Sequence, residues 1–472
     1  MEFTSRIISD IHSERNLGHV LNHQTPDQGS LIQIFDSIYY WTWNTLDNGW
    51  AIYKKSINYV YDANHNLTSY IEKNWNGNVW VNSLQYAYTY NVNHNQTSEI
   101  DQYWNDSVWV NDWQYIYTYD ANNNKTSELD QSWNGSVWVN TDLYTYTYDA
   151  NNNQTSKVFQ TWNGNDWSNL SQYIYTYDTN NNQTSELDQG GENTSWVNEY
   201  QYTYTYDANN NRTSKLVQRW NDTAWANTWQ YIYAYNVNNK LTNELDQYWI
   251  NTAWVNSEKD TFTYDVNNNL TSALYKNWDG STWENYSQYT YTYDVQNNQT
   301  SELEQYWNGL TWVNVYQYIY SYDAHNNQTS ALEQNWSSNA WVNYSQNISA
   351  YDANNFLKSQ SNILWNSTGF EVMSGDSTSY YFHTVLGIND LKLQDAGITV
   401  YPNPTSGKFT ISCKNNISSM EIYNLLGQRI DSDFKFNGKT SSEIDLSSHC
   451  KGIYIVNIRS GAKIYNCKIV IQ

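Results

Sequence analysis

Several ingredients of common protein classes are scarce in this chain. Only three of its 472 residues are proline, which argues against a proline-rich disordered protein. Only three are cysteine, none in a metal-binding spacing: Cys413, Cys450 and Cys467. No run of about 20 apolar residues exists, so no membrane span is expected. The first 20 residues also lack the apolar core of a signal peptide.

Charge is scarce too, and it is one-sided. Charged residues make up 15% of the chain, and the net charge is −23. Residues 396–472 contain nine Lys or Arg and five Asp or Glu, a balance of +4, so the remainder carries −27. A body this acidic is repelled by nucleic acid and by anionic membranes, and we expect neither as a partner.

Aromatic residues are abundant, and they are periodic. The chain has 46 Tyr and 25 Trp. A Tyr-Asp or Tyr-Asn pair recurs eleven times, every 29 residues, from Tyr61 to Tyr351. Such a fixed period is typical of stacked structural repeats. Two tryptophan positions recur in phase and predict an aromatic ladder, the first at Trp75, Trp104 and Trp133, the second at Trp80, Trp109 and Trp138.

Each unit is predicted to contain two strands and two turns. In the unit 119–147, alternating stretches of about 9 and 11 residues are long enough for strands. An Asn-rich segment and an Asn-Gly pair separate them, both strong turn signals. Alternation places Leu129 and Trp133 on one face and Glu128 and Asp130 on the other. We expect three Tyr, one aliphatic residue and two Trp per repeat on one buried face, with Thr, Gln, Glu and Asp outside.

These patterns predict an all-β protein, and two architectures fit. A flat sheet would expose a large aromatic surface, so the sheet is expected to curl with its aromatic face inward. The turn signals favour a curled array of antiparallel hairpins, and a parallel β-solenoid is the alternative. The recurring YxYDANNNxTS segment resembles the YD repeats of Rhs-type toxin-shell proteins, although Asn-Asn replaces their Gly-Arg. The resemblance implies β-hairpins and is not extended to a toxin role.

The C-terminal region has short alternating strands, which predict a small immunoglobulin-like β-sandwich. It resembles the type A C-terminal sorting domain of type IX secretion cargo. The matching residues, in order, are Tyr401, Pro402, Asn403, Pro404, Gly407, Gly427, Gly452, Tyr454 and Lys468. The resemblance implies passage through an outer-membrane translocon, with the type IX machinery as partner. It further implies removal of the domain and attachment to surface lipopolysaccharide or release outside the cell.

The extent of the repeats and of the C-terminal motifs divides the chain into four predicted segments. Residues 1–36 form a poorly ordered N-terminal segment, 37–372 the repeat array with a degenerate first unit, 373–394 a linker, and 395–472 the sorting domain.

No enzyme, metal or cofactor is predicted. The DxNxN turns lack the Gly and Glu of a calcium loop, and the Glu128/Asp130 type of pair recurs in most repeats, unlike a catalytic pair. We expect a secreted or surface protein that adheres to a polysaccharide or to a host or neighbouring surface. Trp113 and Trp229, outside the phase, are the candidate ligand-binding residues. The alternative is a structural stalk or surface-layer spacer.

Overall fold

The computed structural model describes residues 31–192, 195–366, 368–369, 371–386, 398–403, 405–413, 419–424, 429–431, 441–449, 451–460 and 463–471. Within this part of the chain, residues Phe35–Phe382 form one compact unit, and residues from His383 onward belong to another. The described residues contain strands and no helix. The all-β prediction is therefore confirmed.

The repeat sheet consists of 24 strands. Their bounds are β1 Leu31–Asn44, β2 Gly49–Tyr61, β3 Leu67–Trp75, β4 Trp80–Tyr90, β5 Gln96–Trp104, β6 Trp109–Tyr119, β7 Lys125–Trp133, β8 Trp138–Tyr148, β9 Gln154–Trp162, β10 Trp167–Tyr177, β11 Gln183–Glu192, β12 Ser195–Tyr206, β13 Arg212–Trp220, β14 Trp225–Tyr235, β15 Leu241–Ile250, β16 Ala253–Tyr264, β17 Leu270–Trp278, β18 Trp283–Tyr293, β19 Gln299–Trp307, β20 Trp312–Tyr322, β21 Gln328–Ser337, β22 Ala340–Tyr351, β23 Leu357–Trp365 and β24 Val372–Leu386.

The sheet is antiparallel and closed. Each strand from β2 to β23 pairs with its predecessor and its successor in sequence. The first strand, β1, pairs with both β2 and β24, so the sheet has no free edge. The hairpin array is confirmed over the parallel solenoid. Closure into a barrel of strands goes beyond the curled sheet predicted from the sequence, and it removes the unpaired edges that promote aggregation.

One end of each hairpin is an aspartate turn. In the turn after Tyr119, the Asp120 Oδ1 accepts hydrogen bonds from the backbone N–H groups of Asn122 and Asn124, at 2.8 and 2.9 Å. Asn123 adopts a φ of 68°, a left-handed conformation that asparagine tolerates better than most residues. The DANNN sequence therefore encodes this turn directly.

The other end of each hairpin is an asparagine turn between two tryptophans. The Asn134 Oδ1 accepts the N–H groups of Ser136 and Val137, both at 3.0 Å. Gly135 has a φ of 96°, which a side chain would disfavour. Trp133 and Trp138 lie directly opposite each other across this turn. The WNGxxW sequence is thus a closed hairpin end.

Bulges set which side chains share a face. In the β7–β8 pair, Asp130 lies opposite Asp142 and Gln131 opposite Asn140, so Thr141 is an extra residue in β8. A bulge of this kind shifts the alternation of the side chains beyond it. Trp138 therefore faces away from the tyrosines of its own strand. The equivalent shift occurs in the other hairpins, as in β5–β6 and β13–β14.

The register corrects the predicted face. Tyr115 lies opposite Asp130 and Tyr117 opposite Glu128, and directly opposed residues point to the same side of a sheet. Tyrosines and carboxylates therefore share one face, here named the tyrosine face. Leu129 and the Trp133/Trp138 pair lie on the opposite face with Gln131, here named the tryptophan face. The expectation that Tyr and Trp share one face, with Glu and Asp on the other, was wrong.

The tyrosine face lines the interior of the closed sheet. The buried residues of the repeat strands that face it include Tyr70, Tyr88, Tyr204, Val217 and Ala273. On the tryptophan face, the aliphatic residues Ile232, Ile319 and Ile348 are exposed instead. Because one face of a closed sheet must point inward, the more buried face is the inner one.

Tyrosine hydroxyls connect each repeat to the one before it. The Tyr119 hydroxyl donates to the carbonyl oxygen of Gln96 at 2.8 Å. The same bond, always 23 residues apart, is made at distances of 2.7–3.3 Å by Tyr90, Tyr148, Tyr177, Tyr206, Tyr235, Tyr264, Tyr293, Tyr322 and Tyr351. The tyrosine of the Tyr-Asp pair is therefore an inter-repeat contact, which accounts for its constant position in every unit.

Tyr119→Phe is expected to lower the free energy of unfolding by about 1 kcal/mol, because it removes one such bond and leaves the Gln96 carbonyl without it. Tyr286→Phe is the matched control, since Tyr286 is 57% exposed and the change should cost little. Denaturant unfolding measures both. Equal midpoints for the two variants would contradict the role given to this hydroxyl.

A second set of contacts runs along the rim formed by the aspartate turns. The Asn124 side-chain amide donates to the Asn152 Oδ1 of the next repeat at 2.9 Å. Equivalent bonds of 2.9–3.0 Å join Asn95–Asn123, Asn153–Asn181, Asn182–Asn210, Asn211–Asn239, Asn269–Asn297, Asn298–Asn326 and Asn327–Asn355. Lys240 interrupts the series, and there Asn238 bonds to Asn268. The asparagines therefore both shape the turns and join them.

The C-terminal unit contains two small antiparallel sheets. Its strands are β25 Ile398–Tyr401, β26 Lys408–Cys413, β27 Ser419–Asn424, β28 Arg429–Asp431, β29 Ser441–Asp445, β30 Gly452–Ser460 and β31 Lys463–Ile471. One sheet has the order β25-β26-β29 and the other β28-β27-β30-β31. Residues from both, including Phe409, Ile411, Ile422, Ile444 and Val456, form one core with 1% exposure or less. The immunoglobulin-like topology stays a prediction.

The ends of the repeat region differ from the predicted boundaries. Strand β1 begins at Leu31, within the segment 1–36 that was expected to be poorly ordered, and residues 1–30 lie outside the described part. Strand β24 occupies 372–386, within the predicted linker 373–394, and 387–397 are also outside it. Both strands are needed for closure, because β1 and β24 pair with each other.

Candidate functional site

The tryptophan face carries a repeated aromatic and amide surface. Trp133 and Trp138 pack edge to face, with ring centroids 5.1 Å apart. Beside them on the same face, the Gln131 side-chain amide donates to the Asn140 Oδ1 at 2.8 Å. Equivalent tryptophan pairs at 4.9–5.2 Å are Trp75/Trp80, Trp104/Trp109, Trp162/Trp167, Trp220/Trp225, Trp249/Trp254, Trp278/Trp283, Trp307/Trp312 and Trp336/Trp341.

The six tryptophans predicted to form a ladder are thus arranged as three pairs within hairpins: Trp75/Trp80, Trp104/Trp109 and Trp133/Trp138. Their ring contacts are between the two strands of one hairpin. Connections between repeats on this face are made by glutamines, as where Gln288 donates to Gln305 and Gln317 to Gln334, both at 2.7 Å. The tryptophans are all partly exposed, so a ligand can reach them.

The tyrosine face has a different chemistry. Burial raises the pKa of Tyr117, and the nearby carboxylates of Glu99 and Glu128 raise it further. Burial together with Asp188 raises the pKa of Tyr202 to about 12. The phenols of this face therefore stay neutral near pH 7. The face presents uncharged rings beside rows of carboxylates.

One region of this face holds four carboxylates together. Glu244 lies opposite Asp260, and Asp246 lies opposite Glu258, on the adjacent strands β15 and β16. We name these four residues the carboxylate patch. Burial, followed by the charge of Glu258, Glu244 and Asp246, raises the pKa of Asp260 to about 8. Like charges directly opposite each other destabilise a sheet, so protonation of this patch relieves a local strain.

Sequence reasoning missed the carboxylate patch, although a signal was present. The corresponding strand segment in most repeats is a Tyr-x-Tyr-x-Tyr run, and here it reads Asp260-Thr261-Phe262-Thr263-Tyr264. Asp260 thus replaces a tyrosine, and Glu258 stands two residues before it, at the position of Trp113. The cross-strand register needed to see that they meet Glu244 and Asp246 depends on a bulge that the sequence alone does not fix.

The two predicted ligand-binding tryptophans lie on the tyrosine face. Trp113 is opposite Asp101 and Ser132, and its ring stacks beside Tyr115 at 6.4 Å. Trp229 is 39% exposed and lies 5.9 Å from the Tyr248 ring. They occupy the same position four repeats apart, and the structure does not bring them together with the tryptophan pairs.

In the aspartate turns, the carboxylate oxygens of the aspartate accept hydrogen bonds from within the same turn. The hydrogen bond from the Asn124 side-chain amide is the main interaction that lowers the pKa of Asp120. Hydrogen bonds from the backbone N–H groups of Asn124 and Asn122 lower this pKa further. No group of three His, Cys, Asp or Glu residues in the described ranges has a geometry suited to a metal ion. Among the same residues, no helix is long and apolar enough to cross a membrane.

In the C-terminal unit, the predicted sorting motif joins both ends of the domain. The Asn403 Oδ1 accepts the backbone N–H of Val470 at 2.9 Å, and the Thr405 N–H donates to the Val470 carbonyl at 2.8 Å. Gly407 has a φ of 121°, and a Cβ there would lie 2.6 Å from the Ser447 Cα. The segment around Asn403 and Thr405 is thus bonded to β31, the last strand. Motif residues at the two ends of the domain sequence are therefore neighbours in the fold.

The remaining motif residues differ in their exposure. Tyr401 is 59% exposed, whereas Tyr454 is 5% exposed and belongs to the core. Pro402 follows Tyr401 through a cis peptide bond. Gly452 begins β30, and Lys468 lies in β31. Pro404 and Gly427 lie outside the described residues. The Tyr401 ring is therefore accessible to a partner, whereas that of Tyr454 is not.

Residues 399–472 match the family model of a secretion system C-terminal sorting domain. The chain therefore ends in a sorting domain, which confirms the type IX assignment and marks the chain for export. No curated protein matches the chain in sequence.

Three solved structures illustrate the similarity of the repeats. The Tc holotoxin pore of Photorhabdus luminescens is 11% identical, with 93% of this chain and 26% of that chain covered and a TM-score of 0.25. A TcdB2-TccC3 crystal structure is 10% identical, with coverages of 88% and 24% and a TM-score of 0.25. A porin-like protein from Bacteroides uniformis is 11% identical, with coverages of 74% and 98% and a TM-score of 0.22.

The chain spans about a quarter of the length of the toxin chains it matches. Those toxins are the kind of protein that the Tyr-Asp repeats resemble. At TM-scores this low, the likeness carries no argument about activity or partners.

Proposed function

We propose that this exported repeat protein binds polysaccharide at the cell surface through its tryptophan face, without catalysis. The observation that carries the proposal is the recurrence of one arrangement in seven hairpins, where a tryptophan pair lies beside a Gln–Asn pair, as at Trp133/Trp138 and Gln131/Asn140. Aromatic rings provide flat apolar contact for a sugar ring, and amides donate and accept hydrogen bonds to hydroxyls.

Repetition supports a binding role. A long polysaccharide can contact several hairpin ends of one molecule, and linked weak contacts add up to a higher avidity. The positions around Trp133 are uncharged on this face, from Ser127 to Leu129 to Gln131. The carboxylates of Glu128 and Asp130 lie on the opposite face, so a sugar ring here would contact aromatic rings and amides and no fixed charge.

We further propose that the mature protein is retained at the outer surface or released, after removal of the sorting domain, with lipopolysaccharide as its attachment point. The sorting domain supports this proposal. The alternative of a structural stalk receives less support. In a stalk the number of repeats would set the length of the molecule, whereas in a closed sheet it sets the circumference of the sheet.

A glycan array with the full chain tests the proposal. We expect binding to neutral polysaccharides, and we expect the triple variant Trp104→Ala, Trp133→Ala and Trp162→Ala to bind at least about 10-fold more weakly because three neighbouring contacts are lost. Trp113→Ala is the control, since Trp113 lies on the tyrosine face. Circular dichroism verifies that each variant is folded. A folded native chain that binds no polysaccharide would refute the proposal.

A further inference from the structure

The tyrosine face already binds one ammonium group of its own chain. The Lys125 Nζ lies 2.7 Å from the Glu128 Oε2. It also lies 5.3 Å from the Tyr117 ring centroid and 5.5 Å from that of Tyr146. A carboxylate and two rings thus surround the cation, and both kinds of group attract ammonium.

Other cations on this face behave in the same way. Lys157 lies 5.7 Å from the Tyr144 ring, Arg212 lies 4.4 Å from that of Tyr204, and Lys215 lies 4.9 Å from that of Tyr202. Each of these three cations therefore lies over a tyrosine ring of this face.

The same site recurs six repeats later without its lysine. Tyr291, Glu302 and Tyr320 stand at the positions of Tyr117, Glu128 and Tyr146, and Gln299 replaces Lys125. The Gln299 amide lies 3.3 Å from the Glu302 Oε2, a weaker partner than an ammonium group. Within the described part of the chain, no Lys or Arg lies over either tyrosine ring, whereas both rings at the Lys125 site face that cation.

The interior face is accessible to solvent in this region. Tyr306, on the same face of β19 as Glu302, is 47% exposed, and the side chains of Tyr291, Glu302 and Tyr320 are partly exposed. The chain outside residues 396–472 carries −27, which attracts cationic ligands. A small cation can therefore reach the site and is favoured there.

We propose that Tyr291, Glu302 and Tyr320 form a binding site for a primary ammonium group, as carried by a linear polyamine or by a lysine side chain. This site lies on the opposite face from the proposed polysaccharide surface and is independent of it. Glu302 supplies the counter-charge, and the two rings supply cation–π contacts on either side.

Exchange of the occupied and vacant positions tests the proposal in the full chain. Gln299→Lys fills the site with the chain's own ammonium and is expected to lower the number of bound spermidine molecules by one. Lys125→Gln vacates the equivalent site and is expected to raise the number by one. Both changes use residues that other repeats already have at this position, such as Gln154 and Gln183. Isothermal titration calorimetry measures the stoichiometry.

Three further arms complete the test. Glu302→Gln should lose one bound spermidine, whereas Glu371→Gln, an exposed substitution that removes the same charge, should lose none. Titration with tetralysine in place of spermidine distinguishes a lysine side chain from a free polyamine as the better source of the ammonium group. Unchanged stoichiometry for both Gln299→Lys and Lys125→Gln would overturn the proposal, and so would equal losses for Glu302→Gln and Glu371→Gln.

Discussion

A chain that ends at residue 394 is expected to accumulate in the periplasm, while the full chain appears outside the cell. The sorting domain matched at 399–472 is the export signal for the outer-membrane step. The repeat sheet contains its own closed pairing from β1 to β24, so removal of the domain should leave the repeats folded. With the same added leader on both chains in a host that has the type IX machinery, fractionation should show an almost complete loss of the extracellular form.

Two point substitutions separate recognition from folding of the sorting domain. Tyr401→Ala removes an exposed ring that is 59% accessible, so it should reduce export while the domain stays folded. Tyr454→Ala removes a core side chain that is 5% exposed and should unfold the domain, at a cost of about 3 kcal/mol or more. Equal extracellular yield for the truncated and the full chain would contradict the assigned export role.

Asp260→Asn is expected to stabilise the protein by about 1–2 kcal/mol at pH 9 and to have little effect near pH 4. Burial and three facing carboxylates raise the pKa of Asp260 to about 8 in the folded state. A raised folded pKa gives a stabilisation that is complete below the unfolded value of about 4 and is lost as the pH rises through about 8. The expected gain in the free energy of unfolding is only about 1–2 kcal/mol because solvent partly screens the charge of this side chain.

Among the described residues, those directly opposite Asp260 are Glu244 and Tyr275, and neither is a cation. On the tyrosine face, β15 contributes Glu244 and Asp246 and β16 contributes Glu258; the flanking strands β14 and β17 add Tyr231, Tyr233 and Tyr275. Burial also raises the pKa of Glu258. Lys259 and Lys276 are opposite each other on the other face.

Asp279→Asn is the matched control for this prediction. Asp279 is an exposed turn residue, and hydrogen bonds from the backbone of Thr282 and Ser281 lower its pKa to about 2. Asparagine already occupies the equivalent position in other repeats, as at Asn134, so the change should be nearly neutral between pH 4 and 9. Thermal unfolding across that range measures both variants. The same pH dependence for Asp260→Asn and the native chain would show that the patch does not titrate as described.

The local structure of the repeats is predictable from the sequence. The strand lengths of 9 and 11 residues, the aspartate turn and the Asn-Gly turn all follow from residue types with strong conformational preferences. The choice of hairpins over a solenoid follows from the same turns. The Leu129 and Trp133 face was also predicted correctly, because β7 has no extra residue between them.

The arrangement of the faces was not predictable in this way. One extra residue, such as Thr141, reverses the orientation of everything beyond it, and nothing in its residue type marks it as a bulge. The opposition of Tyr115 and Asp130 depends on a register fixed by the whole sheet. Closure depends on the pairing of β1 with β24, whose sequences no longer follow the repeat.

The sorting domain was predictable because its motifs are specific and ordered along the chain. Their physical basis became visible only in three dimensions, where Asn403 and Thr405 bond to Val470 across a long stretch of sequence. The ammonium site at Tyr291, Glu302 and Tyr320 could not be found from spacing, since its rings and carboxylate come from three different strands.

Closure with whole hairpins has a consequence for how such a protein can change its size. Every unit adds one outgoing and one returning strand, so the first and last strands remain antiparallel neighbours whatever the number of units. Duplication or loss of a 29-residue unit in the gene would therefore widen or narrow the closed sheet in steps of two strands without leaving a strand with unpaired backbone groups. A change in the number of units would therefore alter the diameter of the closed sheet and leave the length of its strands unchanged.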